Sequence, residues 1–169
     1  METLKAILTR RSIRKYSSQN IPEEYYEVLL KAAMHAPSGR NRQPWHFIVV
    51  TDRDILGRIA GVSPSWKMLE EASSAIVICG DLTLEESESF IIQDCSAATQ
   101  NILLAAHELG LGSVWLGVHP REDQLDPLKD ILQIPGNIIP VSMVSVGNPN
   151  EERETSDRYN IERIHQDRW

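Results

Sequence analysis

The feature that most constrains the fold is a set of four short apolar segments separated by helix-like stretches. The segments are 45–51, 75–80, 113–117 and 141–146, and β-branched and aromatic residues are frequent in them. Between these segments, apolar residues recur at helical spacing over 52–60, 84–109 and 121–132. Two more helices are expected earlier, at 2–9 and 22–36. This order predicts an α+β domain in which helices cover a sheet of about four strands.

Turn-forming and capping residues mark the ends of the earlier helices. Pro22 is expected to open the second helix, because its missing N–H costs nothing there, and Pro37 is expected to end it. Asp52 or Asp54 can cap the third helix, which stops at Gly61.

The long helix is predicted to span 84–109. Thr83 and Glu86 form a capping-box pattern at its start, and Gly110 is a natural stop. Its apolar residues extend beyond one stripe, which indicates packing on several sides. We therefore expect the helix to contact a second copy of the chain, with Ile102 in that interface.

The length of 169 residues suits one domain, 1–169, in which 147–169 is an extended polar C-terminal tail. No apolar run reaches the roughly 18 residues of a membrane span, and the first residues do not form an apolar signal segment. Cys79 and Cys95 lie in apolar segments and are predicted to be buried free thiols. A cytoplasmic location without membrane association is the expectation.

Charge is unevenly distributed along the chain. The formal net charge of −7 makes a nonspecific nucleic-acid binder or a basic membrane-surface protein unexpected. Residues 1–42 nevertheless contain eight basic and four acidic side chains, with Arg10, Arg11 and Arg14 close together. Arginine suits phosphate, so the cluster indicates a local anion site. A solvated helix end would explain the same residues.

Other common catalytic patterns do not occur in the sequence. The chain lacks a P-loop, a G-x-G-x-x-G after a strand and an H-E-x-x-H motif. None of the five histidines is spaced from another as metal ligands are, and no nucleophile elbow surrounds a serine or cysteine. A metal site and a nucleophilic triad are therefore not expected.

Four ordered motifs resemble the FMN-dependent nitroreductase family, and together they cover almost the whole chain. They are R-R-S-I-R-K-Y at 10–16, A-P-S-G-R-N-R-Q-P-W-H-F at 36–47, G-L-G-S-V-W-L-G at 110–117, and V-G-N-P at 146–149 with Arg158 following. The resemblance implies a nitroreductase-like three-layer α/β/α sandwich with a central mixed, mainly antiparallel sheet. It also implies an intertwined homodimer.

The resemblance implies a role for each matching residue. The first motif would hold FMN, with Arg10, Arg11 and Ser12 on the phosphate and ribityl side and Arg14 beside flavin N1 and O2. Arg158 would also reach the phosphate. The remaining implied contacts are Pro37, Ser38, Gly39 and Asn41 to the partner's flavin, Gln43 to the ring or ribityl edge, and the backbone of Leu116 and Gly117 to flavin N5. Whether Lys67 contacts the flavin is left open, because its spacing is off by one residue.

The implied activity is an FMN-dependent oxidoreductase with NADH or NADPH as donor. Hydride would pass through flavin N5 to a nitroaromatic, quinone or related small acceptor by a ping-pong mechanism. A flavin-binding carrier or redox sensor without efficient turnover is the alternative, and flavin-dependent oxygen chemistry is a more remote one. The short stretch between Gly80 and the long helix predicts a small lid, which leaves the physiological acceptor open.

Overall fold

The protein is described over residues 2–169 by a computed structural model, as one sheet with helices on both faces. The helices are α1 Thr3–Thr9, α2 Glu23–Met34, α3 Arg53–Ala60, α4 Glu88–Glu108 and α5 Glu122–Leu132, and the strands are β1 Trp45–Val50, β2 Ser74–Asp81, β3 Gly112–Gly117 and β4 Ile138–Gly147. Single turns of 3₁₀ helix lie at Gly39–Asn41 and Ile161–Arg163, and a longer 3₁₀ stretch at Pro64–Glu70. None of the helices within residues 2–169 has the length and hydropathy to cross a membrane.

The four strands pair in the order β1-β2-β4-β3, with every pairing antiparallel. The inner strand β2 is buried along its whole length, because helices cover both of its faces. Ser12 adds an isolated parallel bridge to Ser113 at the free edge of β3. The predicted α+β class and mainly antiparallel sheet are therefore confirmed.

Each face of the sheet has its own apolar core. One core lies under α3, α5 and the 3₁₀ stretch and contains Leu56, Trp66 and Leu128, all fully buried or nearly so. The other lies under α2 and α4 and contains Leu29 and Ile102. Ile102 is fully buried inside its own chain, so the expectation that it lies in an interface with a second copy is wrong. The wide apolar surface of α4 packs against both α2 and the sheet.

The cysteines occupy these cores as predicted. Cys79 and Cys95 are both buried and free. Burial raises the pKa of each thiol to about 12, so both remain protonated at neutral pH.

The helix-cap predictions were partly correct. The Asp52 carboxylate accepts the backbone N–H groups of Asp54 and Ile55, each at 2.9 Å, and caps α3. The capping box at the start of α4 does not form. Thr83 instead donates both its N–H and its hydroxyl to Asp81, so a turn intervenes and the helix begins only at Glu88.

Two segments differ from the sequence-based boundaries because of contacts distant in sequence. Strand β4 begins at Ile138 and includes Pro140, which lies opposite Cys79 where the register between β2 and β4 shifts, and such an irregularity is a place in a sheet that tolerates proline. The stretch between Gly61 and β2 was predicted only as mixed chain. It forms the 3₁₀ stretch that buries Trp66.

Candidate functional site

An extended segment at 11–17 organises the site, because it lies between β3 and the C-terminal tail. The Ile13 N–H donates to the Ser113 carbonyl at 3.0 Å, and the Asn150 N–H donates to the Lys15 carbonyl at 2.9 Å. A Cβ at Gly112 would lie 2.7 Å from the Ile13 side chain, so only glycine allows this approach. The span from Arg10 to Arg14 in extended chain is about 13 Å.

At one end of this segment three arginines converge. Arg10, Arg11 and Arg158 line one cavity of about 670 Å³, together with Asp157. Burial, followed by the charges of Arg158 and Arg11, lowers the pKa of Arg10. Within residues 2–169 no carboxylate forms an ion pair with any of the three guanidinium groups. The cluster is therefore an uncompensated positive site that suits an anion.

Arg11 combines a structural role with a free donor. Its Nε donates to the Glu154 carbonyl at 3.0 Å, and its Nη1 donates to the carbonyls of Leu8 and Arg10. Its Nη2 is buried and has no hydrogen-bond partner among residues 2–169. A buried cationic donor without an acceptor is costly, so this atom fits an oxygen of a bound anion.

His107 belongs to the same neighbourhood, although the sequence analysis did not single it out. It lines a cavity of about 440 Å³ beside Arg10 and Arg11, and its Nε2 lies 2.8 Å from the Thr9 hydroxyl oxygen. Burial first, then the charge of Arg10, lowers the pKa of His107. The imidazole is therefore neutral at neutral pH and adds no further charge to the arginine cluster.

At the other end of the segment lies a cavity of about 620 Å³. Arg14, Leu116 and Gly117 line it, as do residues outside the predicted set: Pro64, Ser65, Trp66, Met68, Trp115, His119 and Arg121. A Cβ on Gly117 would meet no atom within 4 Å, so the backbone there borders open space. The extended segment thus connects the cationic cavity with a second cavity, which is bordered by the exposed end of β3 and by aromatic side chains.

Ser12 and Lys67 have different positions relative to these cavities. Ser12 pairs with Ser113 between the cavity of Arg10 and that of Arg14. Lys67 forms an ion pair with Glu70 on the surface, while its neighbours Trp66 and Met68 line the second cavity.

The predicted loop residues form a compact unit elsewhere in the chain. The Ser38 hydroxyl accepts the Gln43 N–H at 3.0 Å, and the Gln43 side chain donates to Asn41 at 3.1 Å. The backbone of Arg40, Asn41 and Gln43 has φ of 52°, 56° and 50°, a left-handed conformation unusual outside glycine. Such strain requires the surroundings to hold the loop in place.

The loop is held by α4 and by the turn that precedes this helix. The Gly39 N–H donates to Asp94 at 3.0 Å, and Arg40 forms a salt bridge at 3.1 Å with Glu85, whose side chain is nearly fully buried. Asp94 and His107 are separated by thirteen residues of one helix, or about 20 Å. The loop and the arginine cluster therefore lie toward opposite ends of α4.

Known proteins resemble this chain over nearly its whole length. The sequence profile of the nitroreductase family matches residues 7–73 and 60–148. A protein of Archaeoglobus fulgidus, provisionally named NADH dehydrogenase/NAD(P)H nitroreductase, is 52% identical over 172 residues and is aligned over 99% of both chains. A crystal structure from Parabacteroides distasonis with the same provisional name has a TM-score of 0.95 and 41% identity, over 99% of this chain and 98% of that one. A provisionally assigned nitroreductase of Desulfovibrio desulfuricans, solved in complex with FMN, has a TM-score of 0.85 and 30% identity, over 100% and 99% of the two chains.

Proposed function

The chain belongs to the nitroreductase family, and from that premise we propose that it is an FMN-dependent oxidoreductase that uses NADH or NADPH as electron donor. The observation that carries the proposal is the pair of cavities at the two ends of 10–14. One has unpaired arginines for a phosphate, and the other has an open strand end beside Arg14. The FMN in the Desulfovibrio relative supports the choice of cofactor.

The residues present fit FMN at both ends. Arg10, Arg158 and the free Nη2 of Arg11 would hold the phosphate, each as a charge-assisted hydrogen bond. Ser12 lies between the cavities, where the ribityl chain would pass. Leu116 and Gly117 would present backbone to flavin N5, because the space beside Gly117 is open.

When bound, FMN supplies the two-electron chemistry, accepting hydride at N5 from the nicotinamide and passing it to a second small molecule in a ping-pong cycle. Arg14 would place a fixed positive charge at the N1 and O2 edge of the flavin. That charge favours the reduced cofactor, which is anionic there, and so raises its potential. The protein otherwise contributes position and partial exclusion of water.

The proposed assembly is a homodimer with two shared sites. The tail beyond Glu151 is exposed throughout on its own chain, and Tyr159, Ile161 and Trp169 leave large apolar side chains uncovered. The loop of Pro37, Ser38, Gly39 and Asn41, with Gln43, lies toward the opposite end of α4 from the phosphate-binding arginines. A second copy of the chain would cover the apolar side chains of the tail. The loop of each copy would then contact the flavin bound by the other copy. On this proposal each flavin site of the single domain 1–169 is complete only in the homodimer.

The proposed acceptor is a flat, electron-poor molecule such as a quinone or nitroaromatic. Trp115 in the wall of the Arg14 cavity is 36% exposed and suits an aromatic ring. The segment between β2 and α4 is short and is held by the Thr83–Asp81 turn, so it forms little of a lid. A small lid leaves the cavity accessible to acceptors of different size.

The identity of the bound flavin tests this proposal. Purified protein is reconstituted with a mixture of FMN and FAD, washed, and heated, and the released flavin is identified by chromatography. Stoichiometric FMN is expected, because the arginines surround a terminal monophosphate. Recovery of FAD alone, or of no flavin, would overturn the proposal.

A further inference from the structure

His119 lies on the cavity face of the strand that carries the proposed flavin contact. Side chains alternate along an extended chain, so Trp115, Gly117 and His119 share one face, while Val118 points into the apolar core. The His119 N–H donates to the Val141 carbonyl at 3.1 Å, which continues the pairing of β3 with β4. The position of the imidazole is therefore fixed by the sheet.

The imidazole is also oriented by a carboxylate. His119 Nε2 lies 2.7 Å from Glu88 Oε1, at the first turn of α4. The His119 side chain is only 16% exposed, whereas that of Glu88 is 54% exposed. This arrangement leaves Nδ1 for another partner and connects the ring to solvent through the carboxylate.

His119 is the one imidazole among the described residues that line this cavity, and an imidazole is a common proton donor in catalysis. The charged residues that share the lining are Arg14 and Arg121, and a guanidinium does not act as a proton donor in acid–base catalysis in the way that an imidazole does. The 3₁₀ stretch contributes only Pro64, Ser65, Trp66 and Met68 to it. Reduction of a quinone needs a proton as well as a hydride, so a single candidate donor is present.

We infer that His119, positioned by Glu88, is the general acid that protonates the acceptor during its reduction. The inference rests on the proposed function, because it assigns the proton source in that site. NAD(P)H, one proton and a quinone give NAD(P)⁺ and a hydroquinone. The quinone receives the hydride originating from NAD(P)H, the His119 Nδ1–H bond breaks as an O–H bond forms, and a solvent proton restores the imidazolium.

The first test locates the imidazole without measuring activity. The protein is labelled with ¹³C at histidine Cε1, and the His119 resonance is identified by its absence in His119→Gln. Addition of FMN is expected to shift this resonance, because the cofactor would occupy the cavity that His119 lines. An unmoved His119 resonance with FMN bound would overturn the inference.

The second test separates the proton from the electrons. In stopped-flow experiments on FMN-loaded, pre-reduced protein, His119→Gln should slow oxidation by a quinone about 100-fold, the lower range of general acid catalysis. Oxidation by ferricyanide, which takes electrons without a proton, should stay at the wild-type rate. His46→Gln is the matched control, since His46 pairs with Asp81 at 3.3 Å outside the cavity.

The pH profile provides a further readout. The wild-type quinone rate is expected to be high at low pH and to fall as His119 loses its proton, whereas His119→Gln should show no such step. Glu88→Ala removes the carboxylate that orients the imidazole, so it should slow the quinone reaction while the ferricyanide rate stays at the wild-type value. Equal quinone rates and profiles in wild type and His119→Gln would overturn the inference.

Two further outcomes are distinguishable. If His119→Gln fails to hold FMN, Glu88→Ala decides the question, and a quinone rate unchanged in that variant overturns the inference. A wild-type protein that NADH does not reduce contradicts the proposed function itself. A wild type that is reduced and reoxidised normally, with His119→Gln indistinguishable from it, contradicts only the role of His119.

Discussion

The carboxylate of Asp94 accepts the backbone N–H of Gly39 at 3.0 Å, and this contact joins the 37–43 loop to α4. Asp94 is buried, and its second oxygen, Oδ2, has no partner within the described part of the chain. A Cβ on Gly39 would meet the Phe90 ring at an ordinary 3.5 Å, so packing within the chain does not require glycine there. A glycine at position 39 is therefore consistent with a second molecule packing against this loop.

Asp94→Ala should destabilise the protein and lower FMN occupancy together. Loss of the acceptor leaves the Gly39 N–H unsatisfied, at a cost of about 1–3 kcal/mol. Urea unfolding measures the first effect, and flavin absorbance per protein measures the second. Gln93→Ala, on an exposed neighbouring position of α4, is the control and should change neither. Stability unchanged in Asp94→Ala would contradict the anchoring role.

Arg10→Ala should weaken FMN binding by about tenfold to more than a hundredfold, the loss of one charge-assisted contact. Arg11→Ala should have the milder binding defect, because Arg11 gives its Nε and Nη1 to backbone carbonyls and has one buried donor to spare. Fluorescence titration of apo-protein with FMN measures both affinities. Arg58→Ala, an exposed arginine on α3, should bind as wild type does. An Arg10→Ala protein with unchanged affinity at low salt would exclude the phosphate assignment.

Acid should loosen the tail from the site through Glu151. Its carboxylate accepts the N–H of Arg14 at 2.6 Å and that of Lys15 at 3.2 Å, and the first of these is the main reason its pKa is lowered from 4.5. A lowered native pKa means that the stabilisation is present above the unfolded-state pKa and disappears as pH falls through the native one.

The expected result is a free energy of unfolding that decreases below about pH 4.5, with a weaker decrease in Glu151→Gln. Denaturant unfolding at a series of pH values measures it. The neighbouring Glu152→Gln should follow the wild-type curve, because no comparable pair of backbone N–H groups binds Glu152. Parallel curves for wild type and Glu151→Gln would show that this contact contributes nothing.

Mixing two defective proteins tests whether sites are shared between copies. Arg10→Ala damages the phosphate end, and Asn41→Gly removes the loop side chain while still accommodating the positive φ at that position. Each homodimer should bind FMN weakly. After unfolding and refolding the equimolar mixture, half of the dimers are mixed, and each has one undamaged site, so about a quarter of all sites should bind FMN normally. No recovery would mean that both residues serve a flavin on the same chain, whereas normal FMN binding by Asn41→Gly alone would mean that the loop serves none.

The sequence-based prediction was most accurate where a pattern repeats within one element. The spacing of Ile91, Cys95, Ala98 and Ile102 identified α4, and all four side chains are fully buried. Patterns failed where a distant segment decides the conformation. Thr83 turns toward Asp81 instead of capping, and Pro140 joins a strand because Cys79 lies opposite it.

For the site, the motifs indicated the arginines and the strand end, which the structure brings to the two ends of one segment. His107 and His119 were missed because each acquires its neighbours only on folding. His107 meets Thr9 across 98 positions of sequence, and His119 meets Glu88 at the start of α4. The one available signal for His119 was its place two residues after Gly117, on the same face of an extended chain.

The anaerobic absorbance spectrum of the FMN-loaded protein tests the central claim most directly. Addition of one equivalent of NADH or NADPH should bleach the visible flavin band, and a quinone added afterwards should restore it without further nucleotide. A donor and an acceptor that use one site in turn must produce this order of bleaching and recovery. A bound flavin whose spectrum neither nucleotide changes would contradict the proposed oxidoreductase and favour a flavin carrier.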